Sequence, residues 1–543
     1  MTTLLVNQQF ILFFLLLFFL AYPLISRLAI FQKINRVQNM SLSWIQRFVV
    51  YIGFLAIIYS SMIFIPFGMS DDYSFMDYFQ THAQQDSLFF RLQTGYDMGL
   101  PAGRIIGYTL AQLFWHPNTI QDLSTYRTIT LVLIALFCAL FAQLHVNDSL
   151  ESFLLPACWV VLPSFQIMMA WSGFIHVPLS LILSLTALLV LKKGMVSPHK
   201  KIWLYGLGAI GLFWLAMNIY QPGAMFFWVL TALLILRHKI VLLKEKLLIF
   251  ACGFLAMAFY FITTKVMFGY ATQLLPRSAL SYDFFSKTNW LLQFPVPFLD
   301  SLSLYNLNIY QSSWTGFGII GFVALIILSG GLLSACHHKE RWLDVGLIGI
   351  CVFMSYAPNF VIAENWATYR SKIALAALIL ILFLEAMGKV IFSISKLLKV
   401  EVERRNISIV VMTGMLAIGT LLCVLNTTYL LALPNFFEQR YLSTRLSEID
   451  WRTTTTLKLI PPGWADSIAP FNLYDEFGHP NTYPDWGSIS LTRILLREQK
   501  QDVDKIKIVL EDATSAGPVL EKNEIDLRQM RYSGLVPDFK DQK

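Results

Sequence analysis

Along this chain, apolar residues gather in long runs separated by short polar segments that hold most of the charge. A helix needs about 20 mostly apolar residues to cross a hydrocarbon core of about 30 Å. By that measure the pattern predicts twelve spans, near 9–27, 48–67, 128–145, 152–169, 173–191, 202–219, 223–236, 247–266, 315–335, 343–362, 369–387 and 407–431. The runs are continuous rather than alternating with a period of two, so they read as helices and not as barrel strands. The first is the weakest. Residues 10–20 are nearly all Phe, Leu and Ile, but Pro23 and Arg27 interrupt the run, so 9–27 either spans or lies at the interface.

The polar segments alternate in charge. Those at 27–47, 192–201, 237–246, 336–342 and 388–405 hold nineteen Lys and Arg, whereas the opposite set holds only Arg91, Arg104, Arg127, Arg277 and Lys287. Basic residues stay on the cytoplasmic side of a membrane, so the second set is expected outside. The N-terminal tail, which has no Lys or Arg, is expected there too, and without a basic n-region it does not read as a cleavable signal peptide. Three outer segments are large: 68–127, 267–314 and the tail from 432 to 543. A transporter built from repeats usually has a more even layout. The tail turns polar, has a turn at Pro461-Pro462-Gly463, and reads as an amphipathic helix at 491–505 followed by a strand at 506–512. The expected architecture is an all-α polytopic membrane domain over 1–431 with a small extracytoplasmic α/β domain over 432–543.

Composition agrees and narrows the classes. Of 543 residues, 56 % are hydrophobic and only 14 % charged. A soluble protein of this size needs about a quarter of its residues charged. The net charge of +7 is concentrated in the expected cytoplasmic segments, so it reads as a lipid-facing bias rather than a nucleic-acid surface. The six cysteines lie in or beside apolar runs without metal-type spacing and read as packing thiols.

The candidate chemistry lies in the outer set. Asp71 and Asp72 come directly after a span. Two adjacent carboxylates at a bundle mouth repel one another, which raises a pKa and prepares a general base, or else they are solvated loop residues. Arg104, at the Gly103-Arg104 turn of an amphipathic stretch, either grips a phosphate or neutralises Asp97 or one of the paired aspartates. Lys265 and Arg370 lie at outer span ends, where a cation either binds an anion or snorkels to the interface. His176 opens a span and either bonds a ligand or packs. Trp171, Trp290, Trp314 and Trp366 lie at outer helix ends or in an outer loop, where they stack on sugars or form the aromatic belt.

An acidic pair after an early span, a Gly-Arg about thirty residues later and Tyr220-Gln221 in a mid-chain outer turn together resemble the bacterial integral-membrane glycosyltransferases of the GT-C type. Among these the nearest likeness is to the O-antigen glucosyltransferases that convert serotype. The likeness covers roughly residues 50–430 in layout. One departure is the apolar segment that precedes the acidic motif, which such enzymes usually place after their first span. The resemblance implies a bacterial inner-membrane enzyme that transfers a sugar, glucose for instance, from a polyprenyl-phosphate donor to a lipid-linked or surface glycan on the outer face. It implies Asp71 or Asp72 as base, Arg104, Arg370, Lys265 and His176 around the donor phosphate, and Tyr220, Gln221 and Glu364 as substrate contacts. No cofactor is required by the residues; a divalent cation on Asp71 and Asp72 is the one candidate. The rival readings are an O-antigen polymerase or ligase and a polytopic transporter or flippase.

Overall fold

The computed structural model describes residues 43–82, 87–144, 150–196, 202–237, 242–268, 284–293, 295–307, 318–335, 341–361, 368–400, 404–463, 476–511 and 523–529. These residues are mostly helical, with one three-stranded sheet. Six described helices are long and apolar enough to cross a membrane: 120–144, 172–196, 202–219, 243–266, 373–397 and 406–447. The pair Leu150–Val160 and Pro163–Ala170, bent by 63°, has the length and composition of a broken span or of a re-entrant segment. The twelve expected spans are therefore not reached among the described residues, and 9–27 lies outside them.

The shortfall has a local cause: several apolar runs are broken helices. The run at 48–67 is interrupted at Tyr59 and ends before Pro66, and the run at 152–169 breaks where Pro163 starts a new helix. The helix over 223–236 starts only after Tyr220 turns extended, and the one over 343–362 stops at Met354. Proline lacks the N–H that a continuing helix needs. Hydropathy registers the apolar composition but not the break in the backbone.

The last candidate span runs from Asn406 to Ser447. At 1.5 Å per residue, 42 residues reach about 63 Å, twice a hydrocarbon core. Its far end, Leu433–Ser447, packs one face into the C-terminal unit, so the polar tail begins inside a helix rather than at a linker. The strands β1 (Thr456–Ile460), β2 (Lys507–Leu510) and β3 (Glu524–Asp526) form a parallel sheet in the order β2-β1-β3. The helix of this unit is Asp485–Glu498, earlier in the chain than the 491–505 the sequence pattern predicts. Pro484 and the acidic Asp485 mark its start, and Lys500 in a left-handed conformation (φ 58°) closes it.

Two apolar cores result. The larger fills the bundle; the smaller joins Leu457, Leu459, Leu491, Ile494 and Leu495 of the C-terminal unit to Tyr73, Met76, Trp115 and Leu123. The Ser70–Thr81 helix that bears the acidic pair is thus clamped between the bundle and the Asp485–Glu498 helix. Asp77 pairs with Arg497 (2.6 Å) and Arg493 (3.4 Å) across this seam. At the opposite end of the bundle, Arg237 pairs with Glu151 and Glu385, and Lys246 with Asp344, tying down the basic segments.

Candidate functional site

The two aspartates have different surroundings. Asp72 is the third residue of the Ser70–Thr81 helix and has no exposed surface. Its Oδ2 accepts from the N–H of Met69 (3.0 Å) and of Ser172 (3.2 Å), and its Oδ1 from the N–H of Gly173 (2.8 Å). Arg127, equally buried, lies 3.8 Å away; it donates to the carbonyls of Phe67 (2.7 Å) and Ala170 (2.9 Å), and its guanidinium lies over the Phe67 ring. Burial raises the Asp72 carboxyl above its ordinary value, while Arg127 and the three amides pull it down. A raised pKa suits a base, but this carboxyl has no exposed surface to offer a substrate. Its work is to seat the 70–81 helix and the 171–174 turn on one another.

Asp71, one residue earlier, turns the other way. Its side chain is 27 % exposed and lies 3.8 Å from Arg370. Arg370 is also 3.3 Å from Glu476, and its guanidinium lies 4.9 Å over Trp171. Nothing local in the chain marks Glu476, so sequence reasoning misses it. A π-helical turn at Thr427–Ala432 brings it here, because the Leu430 carbonyl accepts from the N–H of Gly478 (2.7 Å). The family resemblance implies Arg370 at a donor phosphate. With two carboxylates already beside it, it serves better as the clamp that holds Asp71 and Glu476.

Arg104 answers to the other half of the motif. Within the stretch 86–115, the described residues 87–115 fold as a hairpin of Leu88–Ala102 and Ile105–Phe114, turning at Gly103 in a left-handed conformation (φ 64°) that a side chain would strain. Arg104 Nε donates to Gln221 Oε1 at 2.5 Å, and its guanidinium lies 4.7 Å over the Tyr220 ring. Gln221 donates to the Gly103 carbonyl (3.0 Å) and to the Tyr260 hydroxyl (2.6 Å), which itself donates to Gly103 (2.8 Å). Asp97 does not neutralise Arg104; it accepts from Gln93 (2.9 Å) within its own helix. No carboxylate pairs with Arg104 among the described residues. The Tyr220 hydroxyl donates to the Arg370 carbonyl (3.3 Å), so Tyr220 stands between the two arginines.

The remaining candidates are less central. His176 is only 3 % exposed, edge-on to Phe174, and packed by the hairpin through Gly107, where an added Cβ would lie 2.2 Å from the Ile219 carbonyl oxygen. This packing makes it a wall rather than an open ligand. Lys265 is exposed, farther along the helix that supplies Tyr260. Glu364, Trp314 and Trp366 lie outside the described residues, as does the side chain of Trp290. Among the described residues, no three His, Cys, Asp or Glu side chains converge as a metal set. The five described cysteines are buried and free.

The arrangement is a polar cluster at the edge of an apolar bundle. Arg104, with no carboxylate partner among the described residues, lies over Tyr220, whose hydroxyl reaches the Arg370 backbone, and Arg370 lies beside the partly exposed Asp71; Trp171 and Phe174 extend the aromatic surface. Comparison with protein families, curated proteins and solved structures finds no match to this chain.

Proposed function

We propose that the chain is a GT-C-type glycosyltransferase of a bacterial inner membrane, moving a sugar from a polyprenyl-phosphate donor to a glycan on the outer face. The observation that carries the reading is Arg104: a guanidinium fixed by Gln221 and Tyr220, without a carboxylate partner among the described residues, with Tyr220 linking it to Arg370 and so to the partly exposed Asp71. An arginine held in this way is suited to bind a phosphate by two parallel hydrogen bonds. The lysine- and arginine-rich segments opposite the site support its outward orientation.

In this reading Asp71 takes the proton of the acceptor hydroxyl as its oxygen attacks the anomeric carbon. The bond from that carbon to the phosphate oxygen breaks, and its electron pair leaves with the lipid phosphate. Arg104 meets the charge that grows there. Arg370 and Glu476 hold Asp71 in place, and Asp72 fixes the helix that presents it. A single displacement of this kind inverts the anomeric centre.

Mass spectrometry of surface polysaccharide from cells with and without the protein tests the proposal. One added hexose per repeat, lost in Asp71→Asn, supports it. A change in chain length alone favours a polymerase, and an unaltered glycan with unaltered chain length counts against both.

A further inference from the structure

The C-terminal unit holds a cleft that shares no residue with the site just described, with a volume of about 820 Å³. That is within the range of small-molecule sites. It is formed by the end of the Leu433–Ser447 helix, the turn after it, and the residues beyond the Asp485–Glu498 helix.

Its lining is polar and its hydrogen-bonding directions are fixed. Gln499 gives its amide hydrogens to the Ser443 carbonyl (2.9 Å) and hydroxyl (3.4 Å), which leaves its Oε1 as an acceptor. The hydroxyls of Thr444 and Ser447 donate to the carbonyls of Arg440 (2.9 Å) and Thr444 (2.6 Å), so their oxygens also accept. Arg440 and Arg452 add donors and form no ion pair among the described residues. Asp450 already accepts from the N–H of Arg452 (3.1 Å). Trp451 commits its indole N–H to the Leu446 carbonyl (3.0 Å), which locks the ring as one wall. Fixed acceptors beside two exposed arginines suit a ligand whose hydroxyls both give and receive, and a locked indole suits the C–H face of a sugar ring.

We infer that this cleft binds an oligosaccharide, the distal part of the acceptor glycan. The choice of ligand rests on the transferase reading; the test does not. Asn435, which contacts Met69 beside the acidic pair, lies on the same helix as Ser447. The twelve-residue separation spans about 18 Å along the helix axis, a distance that several linked sugars cover.

Hydrogen exchange on the full-length protein in detergent decides the matter. The probes are lipid-free polysaccharide released from the host surface, maltoheptaose, and inorganic phosphate. Protection at 443–452 and 499–501 with either glycan, lost in Arg452→Gln and Thr444→Val at these exposed positions and in Trp451→Ala, supports the cleft. Absence of protection with both glycans, protection that survives all three substitutions, or protection by phosphate alone overturns it. Asp71→Asn retains the protection if the cleft is separate from the chemistry, so failure of the transferase reading and failure of this one are distinguishable.

Discussion

Asp71 and Asp72 are adjacent in the chain and one helical step apart, yet Asp72 is fully buried on three backbone amides while Asp71 keeps an exposed face beside Arg370. Substituting each separates structure from chemistry. Asp72→Asn places an amide NH₂ where N–H groups point in, leaving buried donors unmet, at about 1–3 kcal/mol. It lowers the melting temperature in detergent and reduces the amount of folded protein. Asp71→Asn leaves melting nearly unchanged and removes product. Equal melting of the two variants would contradict the division of roles.

The pH dependence of that stability is set by burial. The folded state raises the Asp72 carboxyl above the ordinary 3.8 and so holds its proton more tightly than the unfolded chain does. The contribution is complete below that ordinary value and is lost as pH rises through the folded value. The melting gap between wild type and Asp72→Asn therefore narrows as pH is raised from the acid side. A widening gap would show that Arg127 and the amides outweigh burial.

Arg104 is expected to act on donor binding. Arg104→Gln removes the charge and Arg104→Lys removes the planar fork. A charge-assisted contact contributes about 1.5–3 kcal/mol, or about 10- to 100-fold in affinity. Donor KM rises in both variants, more in the glutamine, with melting little altered. A purely structural Arg104 would shift melting and leave KM as it was.

Gly107 tests whether the hairpin positions that arginine. A methyl group there would lie 2.2 Å from the Ile219 carbonyl oxygen, which forces the hairpin off the bundle. Gly107→Ala is expected to cost about 1–3 kcal/mol and to weaken donor use, although no charge is changed.

The seam between the Ser70–Thr81 and Asp485–Glu498 helices has its own measure. Asp77 is buried but Arg497 is partly exposed, so a double-mutant cycle on Asp77→Ala and Arg497→Ala is expected to give about 1 kcal/mol of coupling. Limited proteolysis within the 476–511 segment reports it, because loss of the pair loosens the C-terminal unit from the 70–81 helix.

The sequence by itself determined the solvent of this protein and the order of its parts. Partition between lipid and water depends on local composition, so the long apolar runs, the basic segments and the change to a polar tail after residue 432 were legible without coordinates. Asp71, Arg104, Arg370 and the Tyr220-Gln221 turn were legible for a related reason: a polar group at the end of an apolar helix carries a desolvation cost and stands out. Hydropathy did not show which runs break, at Tyr59, Pro163 and Tyr220, because a kink removes hydrogen bonds without changing hydropathy. The tertiary structure alone decided that Asp72 is spent on Ser172 and Gly173, that Arg127 lies beneath it, and that Glu476 reaches Arg370 from the far end of the chain. Those pairings join residues far apart in sequence. Their energy exists only once the helices have packed, so no local pattern carries them.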